Sequence, residues 1–304
     1  MHLGNGAVTP ECAVITWGAA AAGLGWLALR GQTQKPPVSR PLEVGALAAL
    51  VFALQAVNVP LLPWASAHLV GGVLVARLLG AGLGAWTMAA VLMLQATAMG
   101  DGGLLAWGCN VLNMAVLPAV ILLGCERRFG SSVRTSTTAA VAAVLLAAVL
   151  IPCETAIGRG TLPANWTEFA LTMVVTHLVI ALFEGAVTFA LLTAVERSAT
   201  RTRLAFTIAA AAAATAGVLV ASELPDGYES AADATGFASL LADPTASAAW
   251  IRAVIERQSA AVAAVQTAIG SEWLVTALAT CIAGALAAVA AAVTGPLRTG
   301  RAAG

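Results

Sequence analysis

Long apolar runs with few charges constrain the fold of this chain more than any other feature. The 304 residues are 60% hydrophobic and 10% charged, whereas a soluble domain carries about 25% charged residues. A membrane-spanning helix needs about 20 mostly apolar residues, and lipid offers no partner to unpaired backbone groups. The sequence therefore predicts an all-α, polytopic transmembrane helical bundle. The net charge of zero gives no indication of nucleic-acid binding.

The apolar runs divide the chain into about nine hydrophobic segments. One of them, 68–80, is short and is predicted to be a half-span. The eight longer segments are 13–30, 42–58, 84–99, 104–124, 136–152, 167–195, 203–222 and 271–294.

The distribution of basic residues predicts the orientation of the bundle. With the N-terminus outside, 11 of the 15 basic residues lie on the cytoplasmic side and three lie outside. Arg77 lies near the inner end of the short segment. No basic residue precedes Arg30, so residues 1–30 lack the positive start of a secretory signal and are predicted to stay in the mature protein. We expect the N-terminus on the outer side.

The longest polar stretch, about 223–270, then also lies outside. It opens with a turn-forming run, Glu223-Leu224-Pro225-Asp226-Gly227, and its later part has helical character. Spanning segments bracket it on both sides. This pattern predicts a two-helix unit that is appended to a bundle ending near residue 197.

Histidines are scarce, and one of the three follows the initiator directly. The amine of residue 1, the amide nitrogen of His2 and its ring nitrogen can chelate one ion in a plane, with a further imidazole as the fourth ligand. Planar nitrogen ligands favour Ni(II) or Cu(II), and low-spin Co(II) also accepts them. The bulky His2 predicts that Met1 is retained. The alternative is that His2 is an ordinary surface histidine.

The five cysteines show no CxxC spacing and so no zinc pattern.

His68 and a later turn are candidates for the same outer site. His68 lies at the outer end of the short segment and on the same side as His2 in the predicted topology; alternatively, it is an interfacial histidine bonded to a carbonyl. Asp101 lies in the outer turn 100–103, and Asn110 and Asn113 follow three residues apart on one helical face. These polar groups could support a site or join helices.

His177 and Glu184 lie seven residues apart, so two turns apart on one face of an apolar segment. An ionisable pair inside a membrane span is a functional candidate. The pair could equally fix helix packing.

Several stretches in fixed order carry a family resemblance. They are MHLGNG at 1–6, Gln55, Asn58 and Pro60, SAHLVGG at 66–72, GDGGL at 100–104, NVLNM at 110–114, and THL at 176–178 with Glu184. Over about residues 1–200, this set resembles the CbiM/NikM family, the substrate-binding membrane subunits of cobalt/nickel energy-coupling-factor (ECF) transporters. Residues 203–297, with PDGYE at 225–229, resemble the small PDGLE-type (CbiN/NikN-like) partner, here fused.

The resemblance implies a ligand set and a function. The ligands of Co²⁺ or Ni²⁺ would be Met1, His2 and His68, and the supporting residues would be Ser66, Asp101, Asn110 and Asn113. Gly4 replaces the family's usual proline, Asn5 an acid and Ala67 a glycine. The implied domains are 1–200, the metal-capturing bundle, and 201–304, the PDGLE-type unit.

The resemblance also implies partners and a location. The chain would be a non-enzymatic subunit of an ABC-type importer in the bacterial plasma membrane. Its partners would be a transmembrane coupling (T) subunit and two cytoplasmic ATPase subunits, since the sequence has no GxxxxGK[ST] motif of its own.

Two other functions remain open at this point. The chain could be a secondary metal/proton carrier with His177 and Glu184 as its proton relay, or a purely structural membrane scaffold. For the appended unit we expect that deleting residues from about 203 onward leaves the nitrogen ligands intact. Its acids could attract cations to the site; they are Glu223, Asp226, Glu229 and Asp233.

Overall fold

The computed structural model describes residues 2–30, 38, 40–237 and 249–299. Over these ranges the chain forms α-helices and one small hairpin, β1 (Val59–Leu62) and β2 (Ala65–Ala67), which pair antiparallel. The helices are α1 (Pro10–Arg30), α2 (Pro41–Gln55), α3 (Gly72–Leu79), α4 (Ala81–Leu94), α5 (Trp107–Val111), α6 (Leu117–Phe129), α7 (Val133–Ala156), α8 (Trp166–Arg197), α9 (Thr200–Gly217), α10 (Gly227–Ala234), α11 (Ala249–Ile269) and α12 (Glu272–Thr299).

The helical membrane bundle expected from the sequence is confirmed. Within the described ranges, seven helical stretches are long and apolar enough to cross a membrane, and α2 is a shorter apolar helix. The seven are Pro10–Leu29, Ala81–Met99, Trp107–Phe129, Val133–Ala156, Trp166–Arg197, Arg201–Val220 and Glu272–Val293. The predicted half-span is the eight-residue helix α3. The number nine and the external N-terminus stay predictions.

Two π-helical turns interrupt the bundle on either side of the 100–106 loop. They are Gln95–Met99, after α4, and Leu112–Val116, between α5 and α6. Because a π-turn widens the helix locally, such turns are often found at functional sites. Here they flank the loop that contains Asp101.

Two positions in the bundle require glycine, one for its backbone conformation and one for a close approach between helices. Gly71 precedes α3 with a φ of 75°, a left-handed conformation that favours glycine. A Cβ on Gly45 of α2 would lie 2.5 Å from the carbonyl oxygen of Gly284 on α12, so both helices need small residues there. The α2–α12 contact therefore joins the first half of the chain to its last helix.

The appended residues pack onto the bundle at several points. Asp226 caps α10 by accepting hydrogen bonds from the backbone N–H groups of Tyr228 and Glu229, and the Glu229 carboxylate accepts one from the backbone N–H of Asp226. This capping box explains the PDGYE pattern. The β1–β2 hairpin binds the residues just before α10. The backbone N–H of Ser66 donates to the carbonyl of Pro225, and the Ser66 hydroxyl donates to the carbonyl of Leu224.

Candidate metal centre

The N-terminal segment is held in place by backbone and amide hydrogen bonds. The backbone N–H of Leu3 donates to Oδ1 of Asn110 at 2.9 Å, and Nδ2 of Asn110 donates to the carbonyl of Leu3 at 3.1 Å. The same carbonyl accepts from the N–H of Gly103 at 2.9 Å. Asn110 thus satisfies both backbone groups of the residue after His2, which fixes the direction of the segment.

His2 and His68 meet although 65 residues separate them in the sequence. Their ring centroids are 5.1 Å apart, with an interplanar angle of 20°. Both residues are buried, at 8% and 6% exposure. Nδ1 of His2 lies 3.1 Å from Oδ1 of Asp101. Met1, the third residue of the predicted ligand set, lies outside the described residues.

Charge at this end of the bundle favours a cation. Burial disfavours the charged form of Asp101, but the charge of the adjacent His2 ring holds the pKa of this carboxyl below its usual value. Asp226 lies 3.9 Å from Nε2 of His68. Burial opposes its ionisation too, yet nearby positive charge and a hydrogen bond from the His68 ring hold the pKa of Asp226 well below its usual value. Burial lowers the pKa of His68, which favours the neutral ring that can bind a metal.

Helix α8 and helix α2 fix the loop that carries His68. The backbone N–H groups of Val70 and Gly71 donate to the two carboxylate oxygens of Glu184, at 2.7 and 2.9 Å. Nε2 of Gln55 donates to the carbonyl of Val70 at 2.7 Å. The two buried polar residues thus replace the backbone partners that an irregular loop lacks.

His177 and Glu184 are positioned by separate hydrogen bonds, and none of these bonds joins the two residues. Nδ1 of His177 lies 2.7 Å from the carbonyl of Met173 on its own helix. A Cβ on Gly227 would come within 3.0 Å of its Nε2, so the ring packs against the start of α10. Glu184 therefore supports the His68 loop, whereas His177 supports the Asp226 loop.

The predicted supporting residues act at different distances from the two histidines. Asp101 faces His2 directly, and Asn110 acts through Leu3. Ser66 bonds instead to the residues before Asp226. Asn113 donates to Glu154 of α7 at 2.7 Å and so joins two helices.

A chamber of about 450 Å³ opens beside the histidines. Its walls combine the N-terminal segment, the 99–102 loop and the appended residues. The polar and charged groups that line it are His2, Gln55, Asn58, His68, Asp101, Asp226, Glu229, Gln266, Glu272 and Thr276. Oε1 of Gln55 and Oδ1 of Asn58 are buried and have no hydrogen-bond partner in the part of the chain that the structure describes. These oxygens and the four carboxylates suit a hydrated cation.

No group of three or more His, Cys, Asp or Glu side chains within the described ranges is arranged to hold a metal ion. The chelate hypothesis takes its further ligands from backbone nitrogens, and it stays a prediction.

Comparison with known proteins assigns the family. Residues 2–202 match the family CbiM, described as the cobalt uptake substrate-specific transmembrane region. The chain belongs to the CbiM family. This CbiM-family chain is thus a membrane component of cobalt/nickel transport, and the predicted resemblance is confirmed.

Relatives and solved structures agree with this assignment. A metal transport protein of Haloquadratum walsbyi is 35% identical over 68% of this chain and 94% of its own length. A fused nickel transport protein NikMN of Archaeoglobus fulgidus is 32% identical over 62% of this chain and 63% of its own length. A crystal structure of a truncated transition metal transporter matches with a TM-score of 0.53 at 25% identity, covering 64% of this chain and 97% of that one.

Two polar residues of this CbiM-family chain were missed by sequence reasoning. Glu154 lies two residues beyond the predicted segment 136–152 and inside α7, and an acid in an apolar helix is a signal of function or of a buried partner. Gln258 lies on α11, seven residues after Ile251 and so on the same buried face. A polar residue on the apolar face of an amphipathic helix was the signal that could have found it.

Proposed function

We propose that this chain is the substrate-binding membrane subunit of an ECF-type ABC importer for Co²⁺ or Ni²⁺, and that it captures the ion at an external N-terminus. The observation that carries the proposal is the contact between the His2 and His68 rings, 5.1 Å apart, at the end of a clamped N-terminal segment. Fused nickel transport proteins and cobalt transport proteins among the relatives support these two metals.

The ligands would be the amine of Met1, the amide nitrogen and ring of His2, and the ring of His68. Amine and amide close a five-membered chelate, and amide and Nδ1 close a six-membered one. In the structure Nδ1 of His2 lies 3.1 Å from Oδ1 of Asp101, so binding of the ion through Nδ1 would replace this contact, and the carboxylate would then supply negative charge beside the bound cation. Four nitrogens in a plane suit Ni(II) and low-spin Co(II).

The appended unit would help to load the ion. Of its acids, Asp226 and Glu229 line the chamber together with Glu272 of α12, whereas Glu223 and Asp233 are not among the lining residues. Acids that line a cleft raise the local concentration of cations. The chamber thereby supports access of the hydrated ion from the side of the appended unit.

Energy would come from other chains. Release inward would be driven by a transmembrane coupling (T) subunit and two cytoplasmic ATPase subunits in a bacterial plasma membrane. Separate ATPase chains are proposed because this sequence has no P-loop motif.

A proton-driven carrier would instead need His177 and Glu184 as a relay. Their separate backbone contacts give both residues a structural reason to be buried.

The test of the proposal is to place a glycine–serine linker before Met1. The linker turns the amine of Met1 into a peptide amide and moves the new amine far from His2, so we expect binding of Ni²⁺ and Co²⁺ to fall to background. Metal content and titration calorimetry of the untagged and the extended chain measure this, and the same linker at the C-terminus is the control. Normal metal binding by the N-terminally extended chain would overturn the proposed site.

A further inference from the structure

Helix α11 of the appended unit buries one amide side chain against the metal-binding end of the bundle. Gln258 is 6% exposed, while its helix neighbours Arg257 and Ser259 are exposed. Burying an amide without hydrogen bonds is unfavourable, so its partners decide what this residue does.

Gln258 uses all of its hydrogen-bonding capacity. Nε2 donates to the carbonyls of Ala96 and Gly102, both at 2.9 Å. Oε1 accepts from the backbone N–H of Leu104 at 3.0 Å and from Nδ2 of Asn5 at 2.8 Å. An amide offers two donors and one oxygen with two lone pairs, so each is used in this arrangement.

Backbone partners fix the direction of both amides. Two carbonyl oxygens require the NH₂ group of Gln258 on one side, and the N–H of Leu104 requires its oxygen on the other. Asn5 must then present its own NH₂ to that oxygen. Its Oδ1 accepts from the N–H of Leu105 at 2.9 Å, which agrees with this orientation.

These bonds join the two segments that surround His2. Asn5 lies three residues after His2, and Gly102 follows Asp101, whose carboxylate faces the His2 ring. Asn110 holds the N-terminal segment from the bundle side. Gln258 holds it from the side of the appended unit and ties it to the loop 96–104. The N-terminal segment is thus anchored directly after His2 by residues from two different parts of the chain.

We propose that Gln258 is a positioning residue that fixes the N-terminal segment in its metal-binding conformation, so that the appended unit completes the metal site of this chain. This inference rests on the proposed function. It replaces the expectation that the nitrogen ligands keep their arrangement without residues from about 203 onward. The appended unit then sets the affinity at equilibrium, in addition to any role in loading.

The test is Gln258→Leu in the full, untagged chain, with Ser259→Leu as the matched control on the next residue of the same helix. Leucine keeps the buried volume but leaves two carbonyls, one backbone N–H and the Asn5 amide without their partner. We expect the affinity for Ni²⁺ to fall by about tenfold or more. The visible absorption of bound Ni²⁺, which reports its ligand geometry, should shift or weaken. The control should bind as the native chain does.

A double-mutant cycle with Asn5→Ala keeps the test valid if Gln258→Leu lowers stability. Asn5 lies in a short 3-10 turn outside the helices that span the membrane, so its substitution changes no residue of those helices. If the two residues act through their contact, the double variant loses little more Ni²⁺ affinity than the more affected single variant. Additive losses, or native affinity and absorption in Gln258→Leu, would overturn the positioning role while the native chain still binds Ni²⁺. Absence of Ni²⁺ and Co²⁺ binding by the native chain would overturn the proposed function as well.

Discussion

At the scale of single residues, the three histidines of this chain have different environments. His68 contacts the ring of His2 and lines the chamber, whereas His177 is bonded to its own helix and packs on Gly227. Because histidines are scarce in this sequence, all three were candidate functional residues, and their contacts in the structure distinguish their roles.

We expect His68→Ala to reduce the affinity for Ni²⁺ or Co²⁺ by at least about a hundredfold, since a lost ligand costs several kcal/mol. His177→Ala should change equilibrium binding much less, because its ring only supports the loop before α10. Titration calorimetry of both variants measures the difference. Equal losses would contradict the ligand assignment.

Glu184 is the second residue whose role follows from its contacts. Its two carboxylate oxygens accept one N–H each from Val70 and Gly71. Glu184→Gln offers only one oxygen and turns an NH₂ group toward the other N–H. A buried N–H without an acceptor costs about 1–3 kcal/mol.

We therefore expect Glu184→Gln to lower the melting temperature and to weaken metal binding through the His68 loop. Thr188→Val, one turn along the same helix, is the control, since the buried Thr188 hydroxyl has no hydrogen-bond partner among the described residues. Thermal unfolding with and without Ni²⁺ compares the two. If Ni²⁺ raised the melting temperature of Glu184→Gln as much as that of the native chain, the His68 loop would not need the carboxylate.

At the scale of elements, the contact between α2 and α12 links the bundle to the appended unit. Gln55 at the end of α2 binds the His68 loop, and Glu272 at the start of α12 lines the chamber. The close approach at Gly45 and Gly284 sets the distance between the two helices.

We expect Gly45→Val to lower the free energy of unfolding by about 1–3 kcal/mol, because its Cβ would meet the backbone oxygen of Gly284, which cannot rotate away as a side chain could. The control is Gly124→Val on α6, where an added Cβ meets no atom within 4 Å. Melting temperatures of both variants in detergent test this. An unchanged melting temperature for Gly45→Val would mean that the two helices separate freely.

At the scale of the whole molecule, the chamber joins residues from the first 102 positions to residues from 218 onward. Its exposed acids, Glu229 and Glu272, lie beside the chamber but make no described contact with His2 or His68. Electrostatic attraction by such groups raises association rates more than equilibrium affinity.

Replacing both acids with glutamine should slow Ni²⁺ or Co²⁺ uptake at low metal concentration by roughly threefold to tenfold, with a smaller change in equilibrium affinity. The effect should shrink as the salt concentration rises. Glu223→Gln, an exposed acid outside the chamber lining, is the control. Uptake by the complete transporter in vesicles, measured at two salt concentrations, separates this from a loss of folding. Equal slowing by the control would assign the effect to overall charge.

The sequence by itself determined the class of this protein and most of its helices, because lipid imposes both a length and an apolar composition on each span. His2 and His68 were identifiable for a similar reason, since few ionisable residues occur in such a chain. The start of α10 is set by local chemistry too, because Asp226 and Glu229 form a capping box over four residues, although the sequence analysis predicted only a turn there.

Only the tertiary structure decided how the candidate site is assembled. The bond from Asn5 to Gln258 spans 253 residues, and that from Leu3 to Asn110 spans 107. Local periodicity reports which face of a helix is apolar, but it carries no information on which distant group meets a buried amide. The separate roles of His177 and Glu184, and the contribution of Gln258 to the N-terminal segment, follow from helix packing that brings these groups within hydrogen-bonding distance.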